Sequence, residues 1–232
     1  MIGQKVNGWL KRVQSWVIPP VCLLCGAPAA ESGLCPGCIG DLPLFGPGCR
    51  RCAGPLDGEI CARCLDSPPS FDRTICLFRY QPPVDGLIQR LKFHRDLACA
   101  RSLGSLMADH LLRLQPPRPD VMLPVPLHQK RLAARGYNQA LEIARPIART
   151  LGIPIDTHTC HRVRATAEQA ALAAAARRTN VAGAFAVRGS AATHVAIVDD
   201  VMTTGHTLEA VASALKAAGV GTISLWVCAR AG

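Results

Sequence analysis

Val195-Ala196-Ile197-Val198 runs directly into Asp199-Asp200-Val201-Met202-Thr203-Thr204-Gly205-His206-Thr207. A short apolar run of this kind reads as a strand buried on both faces. In open α/β sheets ligands bind at the carboxyl ends of such strands. Two carboxylates delivered there can accept hydrogen bonds from a sugar diol, or hold Mg2+ through water. The Thr/Gly run opens an alanine-rich helix, Leu208 to Ala218, stopped by Gly219. Its amides and hydroxyls, backed by the helix dipole, form a cradle for a phosphate. Gly205 lets the backbone turn closely around an anion. Asp199, Asp200, Thr203, Thr204, Gly205 and Thr207 are therefore the candidate ligand-binding residues. An acidic pair alone would suit a plain strand–turn–helix, as in receiver domains; the threonine-rich loop after it points to a bound phosphate.

Working outward, Thr74 to Tyr80 and Val121 to Val125 read as strands, and Thr222 to Cys228 as the last one. Val84 to Phe93, Ala98 to Leu114 and Asn138 to Leu151 read as helices. Pro146 lies inside the third, where a proline costs about 3 kcal/mol, so a break is expected near Ala144. Strands alternating with helices over 71–232 predict an α/β fold with a mainly parallel sheet. After Leu123-Pro124-Val125-Pro126-Leu127 come Lys130, Arg131 and Arg135. Cations and amides at a strand-to-helix turn suit phosphate groups; on these residues alone a solvated basic loop fits equally well.

Eight of the 12 cysteines fall between Cys22 and Cys64. They form four turns: Cys22-x2-Cys25, Cys35-x2-Cys38, Cys49-x2-Cys52 and Cys61-x2-Cys64. Two such turns aim four thiolates at one point, a cage that suits zinc. Two structural Zn2+ sites follow, ahead of disulfides or an iron–sulfur cluster, and catalytic zinc is disfavoured because four sulfurs leave no open position. Neighbouring turns pairing is the simplest connectivity; interleaving stays open. This module, 21–66, has little apolar matter and needs metal to fold. Ser67-Pro68-Pro69-Ser70 reads as a linker. Cys76, Cys99, Cys160 and Cys228 stand among apolar neighbours as small hydrophobes.

Residues 1–20 carry Val6, Trp9, Leu10, Val13, Trp16 and Val17 at helical spacing, an amphipathic basic helix ended by Pro19-Pro20. Docking on the protein body is favoured over a membrane surface. No secretory signal or ~20-residue apolar span is visible, so a cytoplasmic protein is expected, where thiols stay reduced. The formal net charge of +10 attracts phosphates without choosing among nucleotides, nucleic acid and lipid. Zinc-bound thiolates would reduce that surplus without reversing it. Aromatics are only 4%, which leaves few stacking platforms for single-stranded nucleic acid.

The Asp199–Thr207 stretch resembles the signature of type I phosphoribosyltransferases. Three further marks are Arg135-Gly136-Tyr137-Asn138-Gln139, Arg162-Val163-Arg164-Ala165-Thr166-Ala167-Glu168-Gln169, and Gly183-Ala184-Phe185. In this order, behind a double four-cysteine module, they resemble the ComF family from about Cys22 to Arg230. The resemblance implies a type I phosphoribosyltransferase fold binding phosphoribosyl pyrophosphate with Mg2+, and transfer of the phosphoribosyl group to an acceptor. It implies that Asp199 and Asp200 contact the ribose hydroxyls, that Thr203, Thr204, Gly205 and Thr207 hold the 5′-phosphate, and that Lys130, Arg131 and Arg135 face the pyrophosphate. Arg162 to Gln169, leading to Arg177-Arg178 and Asn180, is similar to the flexible loop of amidophosphoribosyltransferases. The family also implies single-stranded DNA and competence proteins as partners in DNA uptake. Tyr137, where relatives often have phenylalanine, and Pro146 depart from the pattern.

Overall fold

A computed structural model of the chain describes residues 20–30, 32–164, 183–189 and 192–232. The helix expected before Pro19, and Ala165 to Asn180, lie outside them. The chain divides into two compact units, up to Leu42 and from Pro43 onward. The cysteine-rich stretch is thus shared between the two.

The larger unit is an α/β domain. Its strands are β1 (Arg73–Arg79), β2 (Val121–Pro124), β5 (His194–Met202) and β6 (Thr222–Arg230), in the order β1-β6-β5-β2. All three pairings are parallel. Ile155 adds a single parallel bridge to Met122 beyond β2. Two three-residue strands, β3 (Cys160–Arg162) and β4 (Phe185–Val187), form a separate antiparallel pair. The principal helices are α3 (Val84–Phe93), α4 (Leu97–Leu114), α5 (Gln129–Arg135), α6 (Gln139–Leu151) and α7 (His206–Ala217). Two five-residue helices precede them, α1 (Pro36–Gly40) in the small unit and α2 (Ala62–Asp66) in the large one.

Alternation along each strand sends successive side chains to opposite faces. Val195 and Ile197 of β5, with Ile223, Leu225 and Val227 of β6, join Leu208, Val211, Ala212 and Leu215 of α7 in one core. Ala196, Val198 and Trp226 are buried as well, and α6 and α4 pack on the sheet through β5, β2 and β6. Helices covering a central parallel sheet are why β5 reads as a continuous apolar run.

α6 is not broken at Pro146 as the sequence suggested; it continues from Gln139 to Leu151. The proline ring is buried with Ile143, Ala144 and Ile147. Across from it stands Gly104 of α4, where an added Cβ would lie 2.3 Å from Pro146 Cγ and 2.4 Å from the Ile143 carbonyl oxygen. The missing side chain lets the two helices touch backbone to ring, and this packing outweighs the hydrogen bond that Pro146 cannot donate.

The cysteine turns repeat a backbone pattern. Cys22 N–H donates to Ala27 O at 2.7 Å and Gly26 N–H to Cys22 O at 2.9 Å; Cys49 N–H donates to Gly54 O at 2.8 Å and Ala53 N–H to Cys49 O at 2.8 Å. Bridges Val21–Pro28 and Gly48–Pro55 close the two turns alike. Cys35 and Cys61 then stand at the N-caps of α1 and α2. The second copy is tied into the larger unit: Thr74 N–H donates to Arg50 O and Phe45 N–H to Leu77 O, both at 2.9 Å. Ala53 belongs to the same buried core as β5. The linker is anchored too, since Glu209 accepts from Ser70 N–H and, at 2.6 Å, from its hydroxyl.

Gly104→Ala should destabilise the larger unit by about 1–3 kcal/mol, because backbone and ring must separate to admit a methyl group. Urea unfolding measures it; a neutral effect contradicts the close approach described.

Candidate functional site

The eight clustered cysteines form two sets, Cys22, Cys25, Cys35, Cys38 and Cys49, Cys52, Cys61, Cys64. Neighbouring turns pair. Within each set all four sulfurs lie within 4.8 Å of one another. Cys25 Sγ stands 3.6 Å from Cys35 Sγ, and Cys52 Sγ 3.7 Å from Cys61 Sγ. A tetrahedron with Zn–S bonds near 2.3 Å has edges of roughly 3.8 Å, so the cages already have zinc dimensions. Burial pushes the Cys22 thiol up, yet the amides of Cys25, Cys35 and Leu24 overcome it and bring it down to about 6. Burial and amides oppose each other likewise at Cys49, which also falls to about 6. Hydrogen bonding with Cys25 and Cys35 drives Cys38 far up, and burial followed by contact with Cys52 and Cys61 does the same to Cys64. Four adjacent thiols cannot all ionise without a cation among them.

The second cluster of chemistry lies at the carboxyl edge of the sheet. β5 carries Asp199 and Asp200 while still paired to β6, with Asp199 opposite Val227. Asp199 Oδ1 accepts from the Asp200 amide and Asp200 Oδ1 from the Val201 amide, both at 2.9 Å. Asp200 Oδ2 is buried, with no hydrogen-bond partner among the described residues. Lys92 Nζ stands 2.6 Å from that oxygen as an ion pair, off the angles of a hydrogen bond. Burial and the adjacent Asp200 charge hold the Asp199 carboxyl well above the usual carboxylate range, against the pull of Lys92. Burial pulls the Lys92 ammonium down, but its pairing with Asp200 and the nearby Asp199 together outweigh it and keep Lys92 above its ordinary value.

These groups open into a cavity of about 350 Å3. Asp199, Asp200, Thr203, Gly205 and Thr207 line it from β5 and the loop; Lys92, Arg131, Arg135 and Arg162 line it with positive charge. Gly205, at φ +82, is the N-cap of α7 and supplies no side-chain cap; the start of a helix is a place where negative charge is favoured. Thr204 does not line the cavity; its hydroxyl stands 3.1 Å from His206 Nδ1. Lys130 is exposed and also outside the lining.

The Arg-Gly-Tyr-Asn-Gln run is a positioning device. Arg135 donates to Gln139 Oε1 at 2.6 Å, which fixes the guanidinium beside the cavity. Gly136, at φ +85, ends α5 in the left-handed region. The Tyr137 hydroxyl donates to the Leu91 carbonyl at the end of α3, a bond that phenylalanine lacks. Asn138 caps α6 through the Ala140 amide and donates to Val125 O, both at 3.0 Å. At the end of β6, Arg230 donates to the carbonyls of Met202 and Thr203, and so clips the loop that carries the threonines.

The Double zinc ribbon domain family matches residues 13–76, and the Phosphoribosyl transferase domain family matches residues 138–232. The chain is 36% identical over 225 residues to the DNA utilization protein YhgH of Salmonella typhi, covering 92% of this chain and 98% of that one. It is 36% identical over 216 residues to Competence protein F of Haemophilus influenzae, covering 87% and 92%. The chain belongs to the ComF family. A more distant ComF-family relative, Competence protein ComFC of Bacillus subtilis, is 22% identical over 211 residues, covering 88% and 77%. In this ComF-family chain the two four-cysteine sets are zinc-binding sites, and the carboxylate-lined cavity belongs to its phosphoribosyltransferase-type domain.

Lys92 and Arg230 join the site without a local sequence signal. Lys92 sits in the last turn of a helix, where a cation complements the dipole and attracts no notice. Arg230 follows an apolar strand at the end of the chain, and only the parallel register Met202–Arg230 brings it to the loop.

Two outcomes follow for this ComF-family chain. Metal analysis of reduced protein should find about two zinc ions per chain. Cys22→Ser and Cys52→Ser should each lose one, but only Cys52→Ser should lower the melting temperature of the larger unit, into which its ribbon is built. Arg230→Met should leave zinc content unchanged and release the Thr203 carbonyl, while Met202 keeps the Ala231 amide, weakening binding of inorganic phosphate or a phosphorylated sugar by about tenfold, roughly the worth of one charge-assisted hydrogen bond. Calorimetry measures it; unaltered binding contradicts the clip.

Proposed function

We propose that the cavity binds phosphoribosyl pyrophosphate with Mg2+ and supports displacement at the ribose C1, and that the chain serves DNA uptake or competence. The observation that carries the ligand assignment is the buried acidic pair beside the N-terminus of α7, in one cavity with Lys92, Arg131, Arg135 and Arg162. Carboxylates accept hydrogen bonds from a ribose diol, the amides and hydroxyls of Thr203, Gly205 and Thr207 take the 5′-phosphate, and the arginines take the diphosphate. Thr204 supports the loop through His206, and the exposed Lys130 contributes attraction at longer range. Asp200 Oδ2, which accepts no hydrogen bond among the described residues and is ion-paired with Lys92, fits Mg2+, a hard cation that takes oxygen ligands. When bound, that ion neutralises charge on the diphosphate. The protein's share is positioning and charge stabilisation as the C1–O bond to pyrophosphate breaks, its electron pair leaves with pyrophosphate, and an acceptor forms the new bond.

The role in DNA uptake is supported by the relatives' names, DNA utilization protein and Competence protein, and by the net charge of +10. The cavity itself is a poor groove for single-stranded DNA, because its carboxylates repel a phosphate backbone. Zinc thiolates suit a reducing compartment such as the cytoplasm.

Asp199→Asn is the cleaner test, since Asp200→Asn would leave the partly buried Lys92 ammonium without its carboxylate. The variant should keep its far-UV spectrum and bind phosphoribosyl pyrophosphate with Mg2+ about 10- to 100-fold more weakly by calorimetry, the loss of a hydrogen bond to a charged group. Equal binding by both proteins, or none by the wild type, refutes the assignment.

A further inference from the structure

We propose that Lys92 is the resident counter-ion of the acidic pair, holding Asp200 until a divalent cation and ligand arrive and then exchanging that carboxylate for a phosphoryl oxygen of the ligand. The first half stands on the ion pair alone. The exchange rests on the reading of the cavity as a phosphoribosyl pyrophosphate site.

Two adjacent carboxylates lie near the carboxyl end of β5 in a buried position, Asp199 at 9% and Asp200 at 3% exposure. Burying such charge requires a cation. Lys92 is the one ion-pair partner of Asp200 among the described residues, and it comes from outside the acidic loop altogether. Its own helix is held in place for the purpose. The Tyr137 hydroxyl fixes the Leu91 carbonyl one residue before it, and Arg90 pairs with Asp96 at 2.6 Å just beyond the helix end. Arg95, next to that pair, donates to Ala134 O of α5 at 3.2 Å. The end of α3 is thus pinned to the segment that carries Arg131 and Arg135.

An ammonium 2.6 Å from Asp200 Oδ2 occupies the approach that a metal ion would need, since Mg2+ binds a carboxylate oxygen at about 2.0–2.1 Å. Two cations on one buried oxygen repel each other at close range, so a metal bound there competes with the lysine. Lysine suits the exchange: it is a point charge on a flexible four-carbon stem with three donors, and it pairs with a phosphate without a fixed geometry. Both the carboxylate it leaves and the cationic wall that collects phosphates lie in the same cavity. A purely structural ion pair would predict that neutralising Lys92 harms every property of the site together. Exchange predicts that two properties move in opposite directions.

Lys92→Met keeps an unbranched stem and removes the charge. Mn2+ alone, followed by loss of its free-ion paramagnetic resonance signal, should bind this variant about tenfold more tightly than the wild type, because the resident competitor is gone. Phosphoribosyl pyrophosphate with Mg2+, followed by calorimetry, should bind it about tenfold more weakly, because a phosphoryl contact is lost. If Lys92→Met fails to fold, Lys92→Gln, which keeps a donor toward Asp200, carries the same two titrations. Mn2+ affinity that is unchanged, lower or undetectable in the neutral variants overturns the counter-ion. Tighter Mn2+ binding with unchanged or tighter ligand binding overturns the exchange and leaves Lys92 a competitor only. A wild type that binds no phosphoribosyl pyrophosphate overturns the exchange together with the functional reading, while the Mn2+ titration still decides the counter-ion.

Discussion

Two neighbouring carboxylates buried at the end of the central strand are the constraint that organises this fold. Burial alone would drive both toward the neutral acid. The protein answers with backbone amides to one oxygen of each, at 2.9 Å, and with Lys92 on the remaining buried oxygen of Asp200. That lysine has to arrive from a helix that follows the opposite edge strand. The placement of α3, the bond from Tyr137 to Leu91 and the pairing of Arg90 with Asp96 all serve to bring it there. Arg230 then holds the loop beyond the carboxylates by its carbonyls. Asp199 stays well above the usual carboxylate range even so, which marks an arrangement with spare capacity for positive charge.

Much of this was legible in the chain, for identifiable reasons. The ends of α3 agree with the expected Val84 to Phe93, because Val84, Leu87, Ile88 and Leu91 recur at helical spacing and are buried, although Phe93 is exposed. β5 was read as ending at Val198 but continues to Met202; charged residues look like the end of a buried strand unless a partner on another element neutralises them. α5 left no apolar signature, since none of its residues is buried, and β3 and β4 are too short to show alternation. Pro146 misled because the rule it obeys concerns an isolated helix, whereas Gly104 supplies the space in this one. Residues of the loop could be named from chemistry, but Lys92 and Arg230 reach it only through tertiary register.

The zinc module was legible in composition and not in attachment. Cysteine spacing gave two cages and the simplest pairing, as the structure has them. It gave no sign that the two copies of the ribbon belong to different compact units. That division comes from long-range backbone bonds of Phe45 and Thr74, residues with no metal-binding character. The same turn geometry takes Gly26 at φ +74 in the first copy and Ala53 at φ +50 in the second. The alanine accepts a strained backbone in return for a methyl group in the main core.

The second ribbon also determines what β1 shows to the outside. Thr74 N–H, Leu77 O and Arg79 N–H on the side away from β6 are all taken, by Arg50, Phe45 and Pro43. At the far side of the sheet β2 is only four residues long and already carries the bridge from Ile155. An unpaired strand edge is a template on which another chain can add itself. Here the second ribbon and the segment leading into it fill that template from within the same chain. An element built around sulfur chemistry thus leaves those groups of β1 unavailable for strand addition, a consequence remote from any chemistry in the cavity.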